Sequence, residues 1–187
     1  MSEDEMEEHE PVTFVVTIEN LTDTTDLASP LAPGAAVVTD DAGAIISEGA
    51  AASPGLEALA EDGPPGGFVI EIDGVVFAVP ADATEAGPAL PGYKLTFATM
   101  YVQSNDWFFA PGADGIELFD ADGEPLVGDV TSSVYLWDAG TEADQTSGEG
   151  ADQAPRQSGP NTGDDDADNM IRILGAADGI RVMVSAS

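Results

Sequence analysis

The chain has 187 residues, of which 36 are acidic and only 4 are lysine or arginine, so its formal net charge is -32. This charge excludes nucleic acid as a partner, because phosphate groups would be repelled, and it disfavours docking on anionic membranes. The chain contains no cysteine, which excludes disulfides, thiolate metal sites and cysteine nucleophiles. A hydrophobic fraction of 43% is sufficient for the core of one domain.

The excess of acids, together with a single lysine at Lys94, is typical of proteins from extreme halophiles. In dilute buffer such a chain repels itself, which lowers the stability of the compact state. In concentrated salt the Debye length falls to about 3 Å, and this repulsion is screened. The alternative interpretation is an acidic, calcium-loaded protein from a mesophile.

The amino-terminal residues 1–11 are predicted to form an acidic disordered tail, because "MSEDEMEEHE" is dominated by charge and has no apolar periodicity. The tail lacks the basic and apolar regions of a signal peptide. Either a signal has been removed or export does not use this route. No run of the sequence is apolar enough to cross a bilayer, so membrane insertion is not expected.

Residues 12–187 are predicted to fold as one domain. The first strand is expected at Val12–Asn20, which is rich in β-branched residues, and "AAVVTD" and "GAIISEG" predict two short strands. "SPGLEALAEDG" predicts the one short helix: Ser53 can cap it, Pro54 suits the first turn and Gly63 can end it. Its leucines are expected to face the core.

The second half of the chain is predicted to be mainly strands and turns. "GGFVIEIDGVVFAV" predicts a hairpin around Asp73-Gly74, and Gly92–Gln103 predicts a long strand. "GIELF" and "EPLVG" flank a turn, "DVTSSVYLW" predicts another strand, and "NMIRIL" with "GIRVMVSA" predicts a terminal pair of strands. Residues 139–169 form a long polar segment. Eight to ten strands with one helix indicate an all-β fold, an antiparallel β-sandwich.

The residue types present argue against catalysis. His9 is the only histidine and lies in the acidic tail, so a Ser-His-Asp triad is not expected and histidine-ligated zinc is excluded. No phosphate-binding loop is present. A carboxylate pair doing glycosidase work stays possible in principle, but any chain this acidic brings some pair of acids together. We therefore expect no enzyme.

Carboxylates without histidine or cysteine are suited to hard cations such as Ca²⁺. Asp164, Asp166 and Asp168 have the spacing of the first ligands of an EF-hand loop, but Gly175 stands where that loop needs Glu. "DADGEP", from Asp120, also departs from the pattern. In both segments solvated acids are the favoured interpretation.

A different pattern places acids beside tryptophan at strand ends. Asp138 follows Trp137, Glu142 comes four residues later, and Asp106 precedes Trp107 at the end of another predicted strand. If the two strands share an edge of the sheet, three carboxylates from two loops form a cation site. The alternative is that each tryptophan packs while each acid is solvated.

At these residues the chain resembles a known family. "NDWFFAPG", "LWDAGTEAD" and "NMIRIL" resemble the spondin domain of F-spondin and mindin, in its prokaryotic form, over about residues 12–185. The resemblance implies a C2-like β-sandwich that binds one Ca²⁺ at a loop end through Asp106, Asp138 and Glu142. Glu142 stands where animal domains usually have Asp, and the acids of Asp164–Asp168 could add a ligand.

The resemblance also implies a function. Its family acts outside the cell in adhesion and recognition, without catalysis, so we expect an extracellular or cell-surface module that recognises an unidentified protein or a surface glycan. The alternative is a structural subunit of a surface filament, envelope or virion that self-assembles through a sheet edge.

Overall fold

The computed structural model describes residues 10–32, 34–40, 46–63, 75–79 and 84–186, with the backbone alone at 75–79 and 84–88. Residues 1–9 of the predicted acidic tail and the predicted turn at Asp73-Gly74 lie outside these ranges. Within them, no helix is long and apolar enough to cross a membrane.

The described residues form eleven strands and one α-helix. Two of the strands, β7 and β8, have only two residues, and the other nine, which have five or more, agree with the predicted eight to ten strands. The elements are β1 (Val12–Asn20), β2 (Gly34–Thr39), α1 (Pro54–Asp62), β3 (Val75–Val79), β4 (Thr84–Ala89), β5 (Lys94–Met100), β6 (Trp107–Pro111), β7 (Ile116–Glu117), β8 (Gly128–Asp129), β9 (Val134–Asp138), β10 (Arg172–Ala176) and β11 (Ile180–Ala186).

The strands form two antiparallel sheets, which confirms the predicted all-β sandwich. The smaller sheet has the order β4-β1-β11-β8, and the larger has the order β10-β9-β6-β5-β2-β3, with β7 also paired to β5. The core between the sheets contains Phe14 and Val182 from the smaller sheet and Leu95, Phe97 and Phe109 from the larger. In β1 and β11 alternate side chains supply this core, since successive residues point to opposite faces.

A second apolar cluster covers the outer face of the larger sheet. Leu56 and Leu59 of α1 pack there with Phe108 and Trp137 of the sheet. The helix has its predicted bounds because its signals are local: the Ser53 hydroxyl accepts from the backbone N–H of Leu56 at 3.2 Å, and Gly63 ends the helix with φ 67°. The molecule therefore has three layers, and α1 lies on the side of the larger sheet.

The run "DVTSSVYLW" is not the continuous strand that its composition predicts. Thr131–Ser133 form a 3-10 turn, and the carboxylate of Asp129 accepts from the N–H of Thr131 at 2.9 Å. Strand β8, before the turn, pairs with β11 in the smaller sheet, whereas β9 pairs with β6 and β10 in the larger. The break exists because the chain changes sheet here.

The predicted terminal pair of strands is also corrected. Both strands exist, but β10 pairs with β9 and β11 pairs with β1, so they belong to different sheets.

In "GAIISEG", residues 46–49 are not a strand: Gly49 adopts φ 78° in a turn, and the N–H of Gly49 donates to the carbonyl of Ile171 at 2.8 Å. Ile46 is nevertheless buried in the outer cluster.

Candidate metal centre

The register of three strands brings the predicted acids to one edge of the larger sheet. Asp138 ends β9, where it lies opposite Trp107 of β6 on one side and Arg172 of β10 on the other. Asp106 directly precedes β6, so antiparallel pairing places it next to the end of β9. The predicted meeting of Asp106 and Asp138 at one sheet edge is confirmed.

Asp106 is fully buried, and its two carboxylate oxygens have different surroundings. Oδ2 accepts from the backbone N–H groups of Thr141 at 2.9 Å and Glu142 at 3.1 Å. Oδ1 is buried and accepts from no donor of the described residues. Burial, followed by the charge of Asp138, raises the pKa of Asp106 to about 7. A buried anionic oxygen without a donor is unfavourable unless a cation compensates it.

Asp138 is also fully buried, and one of its carboxylate oxygens accepts from a turn while the other pairs with an arginine. Oδ1 accepts from the N–H of Gly140 at 2.6 Å, while Oδ2 lies 2.5 Å from Nη2 of Arg172. Burial raises its pKa, against the lowering effects of the Gly140 hydrogen bond and of Arg172. Gly140 has φ 64°, and a Cβ there would lie 2.3 Å from the carbonyl oxygen of Met170, so only glycine fits this turn.

The third carboxylate of the group is Asp144, which the sequence does not single out. One oxygen each from Asp106, Asp138 and Asp144 lies within 4.8 Å of the other two. The side chain of Asp144 is exposed, and it accepts from Nε1 of Trp107 at 3.4 Å and from Arg172 at 3.0 Å. It belongs to the quoted motif "LWDAGTEAD", but that position has no strand-end anchor of its own. These three carboxylates could hold a metal ion.

Glu142, the third predicted ligand, lies beside this group but outside it. Its backbone donates to Asp106, while its carboxylate Oε1 accepts from the N–H of Gly163 at 3.0 Å. The side chain is 3% exposed, and Oε2 has no donor among the described residues. Burial raises the pKa of Glu142 to about 7, and the charge of Asp106 adds to the effect. Its role as a metal ligand stays a prediction.

Arg172 is the only basic side chain of the described residues at the group. It makes ion pairs with Asp138, with Asp144 and, at 3.4 Å, with Asp166. One guanidinium therefore pairs with three carboxylates, and Asp106 has no ion pair among the described residues. The surplus of negative charge can attract a cation, and it would do so most strongly at the buried oxygens, where solvent screens least.

The acids of "DDDADN" fasten the long segment after β9 through their backbone. The N–H of Ala143 donates to the carbonyl of Asp164 at 2.7 Å, and the N–H of Asp166 donates to the carbonyl of Thr141 at 3.0 Å. The carboxylate of Asp166 accepts from the N–H of Asp168 at 2.9 Å. Asp164 and Asp168 are exposed, whereas Asp166 is linked to the group by its ion pair with Arg172.

Comparison with models of known protein families finds no match to the chain, and comparison with curated proteins finds none either. The spondin resemblance consequently rests on the motifs quoted above.

Proposed function

We propose that the protein is a non-enzymatic, calcium-binding β-sandwich module of the cell surface or extracellular space, related to the spondin domains. Asp106, Asp138 and Asp144 bind one Ca²⁺ at the edge of the larger sheet. The observation that carries the proposal is the buried Oδ1 of Asp106, which has no donor among the described residues and belongs to one of three carboxylates that lie close together.

The donor set favours calcium over other metals. All three side chains offer oxygen, the ligand type of hard cations, and the chain has no cysteine to hold a soft metal. Ca²⁺ accepts six to eight oxygens in irregular geometry, whereas Mg²⁺ requires a nearly ideal octahedron. The mixture of two buried acids and one exposed acid leaves one side of the group open for water ligands, which suits calcium.

The role of the ion is structural. Asp106 belongs to the loop before β6, and Asp138 and Asp144 flank the start of the long segment after β9, so one ion joins both loops. Extracellular modules bind calcium at about 10⁻⁴–10⁻³ M. A hundredfold excess of calcium over its dissociation constant stabilises the folded state by about 2.7 kcal/mol. The pinned segment presents the surface that recognises an unidentified protein or a surface glycan.

A second candidate function is that of a structural subunit which self-assembles in a surface filament, envelope or virion. The observation that favours it is strand β10, which in the described part of the chain pairs only with β9 and exposes Ile173 and Leu174. An open edge with apolar side chains can pair with another chain. Size-exclusion chromatography with light scattering in high salt separates the two functions, because a discrete monomer contradicts self-assembly.

Calorimetric melting tests the calcium site. The protein is stripped with EDTA and melted in about 1 M KCl, which screens non-specific cation binding, with and without CaCl₂. We expect calcium to raise the melting temperature of the wild type and of Asp122→Asn, a matched control that removes an exposed carboxylate at a hairpin turn. Asp138→Asn should show a smaller rise than the wild type. A wild-type melting temperature that calcium does not move contradicts the proposal.

A further inference from the structure

A second pair of buried carboxylates lies between the helix and the long segment after β9. Glu61, in the last turn of α1, is 2% exposed, and Glu142 is 3% exposed. Each has an Oε2 that is shielded from solvent and accepts from no donor of the described residues. Glu61 lies beside the same loop as Glu142, because the side chain of Thr141 is near enough to lower the pKa of Glu61, against the larger rise caused by burial.

Residues 157–163 cover this pair from the other side. The amide of Gln157 donates to the carboxylate of Asp62 at 2.8 Å, and the N–H of Gly163 donates to Glu142 at 3.0 Å. Two neutral oxygens of the same segment, Oε1 of Gln157 and Oγ1 of Thr162, are also buried without a partner among the described residues. Four unpartnered oxygens therefore belong to the helix end, the Glu142 turn and the segment that covers both.

No lysine or arginine side chain of the described residues pairs with either carboxylate. All four are engaged elsewhere: Lys94 pairs with Glu117, Arg181 pairs with Glu19, and Arg172 pairs with Asp138, Asp144 and Asp166. Arg156 donates to Gln103, Gln153 and Gly150. The two carboxylates are close enough that the charge of Glu142 adds to burial in raising the pKa of Glu61. Like charges buried together are unfavourable without a counter-ion.

We propose that Glu61 and Glu142 form a second site for a hard divalent cation, Ca²⁺, separate from the Asp106 group, with Thr162 and Gln157 as neutral oxygen ligands. Two carboxylates with hydroxyl and amide oxygens are a donor set that calcium accepts, and water supplies the remaining ligands. This ion fastens α1 to residues 157–163, whereas the Asp106 group fastens two loops of the sheet edge. It does not require the calcium site of the proposed function.

Backbone contact with Glu142 explains the glycine at position 163. A Cβ on Gly163 would lie 2.4 Å from the carboxyl carbon of Glu142. Only a residue without a side chain lets the covering segment approach the carboxylate this closely. The close approach shields the carboxylate of Glu142 from solvent, and its Oε2 is left to bind the proposed ion.

The number of bound ions tests the second site. Equilibrium dialysis of the EDTA-stripped full chain against radioactive calcium, in about 1 M KCl, gives the stoichiometry. We expect two ions on the wild type, one on Glu61→Gln, one on Asp138→Asn and none on the double variant. Glu57→Gln, one turn earlier in the same helix and less buried, is the matched control and should retain two.

The outcomes for the two sites are distinguishable. If Glu61→Gln binds as many ions as the wild type, the second site is overturned, and a loss confined to Asp138→Asn leaves the first site standing. If only Glu61→Gln loses an ion, the second site is supported and the first fails. A single wild-type ion that either variant abolishes means one shared site and overturns the separate second one.

A neutral substitution covers the case in which Glu61→Gln does not fold. Thr162→Val removes a proposed ligand without changing the charge, and circular dichroism verifies its fold. We expect it to weaken the binding of one of the two ions and to leave the other unchanged. Two unchanged dissociation constants overturn the assignment of the neutral ligands and of the site.

Discussion

Replacing Asp106 by Asn separates the hydrogen bonds of its carboxylate from its charge. The carbonyl of Asn can still accept from the N–H groups of Thr141 and Glu142. The charge is lost, and with it the repulsion from Asp138 and the unfavourable burial of an anion. We therefore expect Asp106→Asn to stabilise the metal-free protein and to reduce its stabilisation by calcium.

The raised pKa gives the magnitude and the pH range. Folding raises the pKa of Asp106 from 3.8 to about 7, and each unit corresponds to about 1.4 kcal/mol. Above pH 7 the buried charge thus destabilises the metal-free protein by about 4 kcal/mol, from which the weaker hydrogen bonds of Asn subtract about 1–2 kcal/mol. Because folding raises this pKa, the protonated carboxyl of Asp106 contributes its full stability below the unfolded pKa. That contribution is lost as pH rises to the folded pKa. The gain should therefore appear above pH 7 and fade towards the unfolded pKa of 3.8.

Urea unfolding, followed by tryptophan fluorescence in about 1 M KCl, measures these free energies. Each protein is unfolded with EDTA and with calcium, at pH values above and below 7, and Asp122→Asn controls for the change in net charge. The reasoning is refuted if Asp106→Asn is less stable than the wild type in EDTA above pH 7, or if calcium stabilises it as much as the wild type.

Three further predictions concern the surroundings of the two sites and the charge of the whole protein. Arg172→Gln removes the counter-charge of Asp138, so it should lower the metal-free melting temperature and tighten calcium binding; an unchanged calcium dissociation constant contradicts this. Gly163→Ala forces a Cβ against Glu142 and should destabilise by about 1–3 kcal/mol in urea unfolding, whereas Gly159→Ala, which has open space around it, should not; equal effects contradict the packing argument. Raising KCl to about 1 M should raise the melting temperature of the metal-free protein more than that of the calcium-loaded protein, because self-repulsion is screened; equal shifts in calorimetry contradict it.

Local signals made parts of the fold predictable. The bounds of α1 follow from Ser53, Pro54 and Gly63, whose capping contacts lie within the helix and its ends. Strand β1 has its predicted bounds, Val12–Asn20, because six of its nine residues are β-branched.

Sheet membership was not predictable, because it depends on contacts between distant residues. Strands β10 and β11 are separated by a short turn, yet one pairs with β9 and the other with β1 at the opposite end of the chain. A two-sheet sandwich permits either arrangement for neighbouring strands. The break at Thr131–Ser133 has the same origin, since β-branched residues lie on both sides of it while the chain changes sheet.

The candidate site was predictable where tryptophan anchors the acid. Trp107 and Trp137 fix the strand ends, so Asp106 and Asp138 meet as predicted. Asp144 was missed because it lies beyond the strand end. Glu61 was missed because acids in a short amphipathic helix normally face solvent, and only the packing of a remote segment buries this one.

Anomalous diffraction from crystals grown in NaCl with saturating calcium tests the central claim most directly. We predict a calcium peak at the edge of the larger sheet, about 2.3–2.6 Å from Oδ1 of Asp106 and from an oxygen of Asp138, with Arg172 displaced from Asp138. An ordered structure in which Arg172 keeps its contact with Asp138, and calcium is found only on exposed carboxylates or not at all, contradicts it.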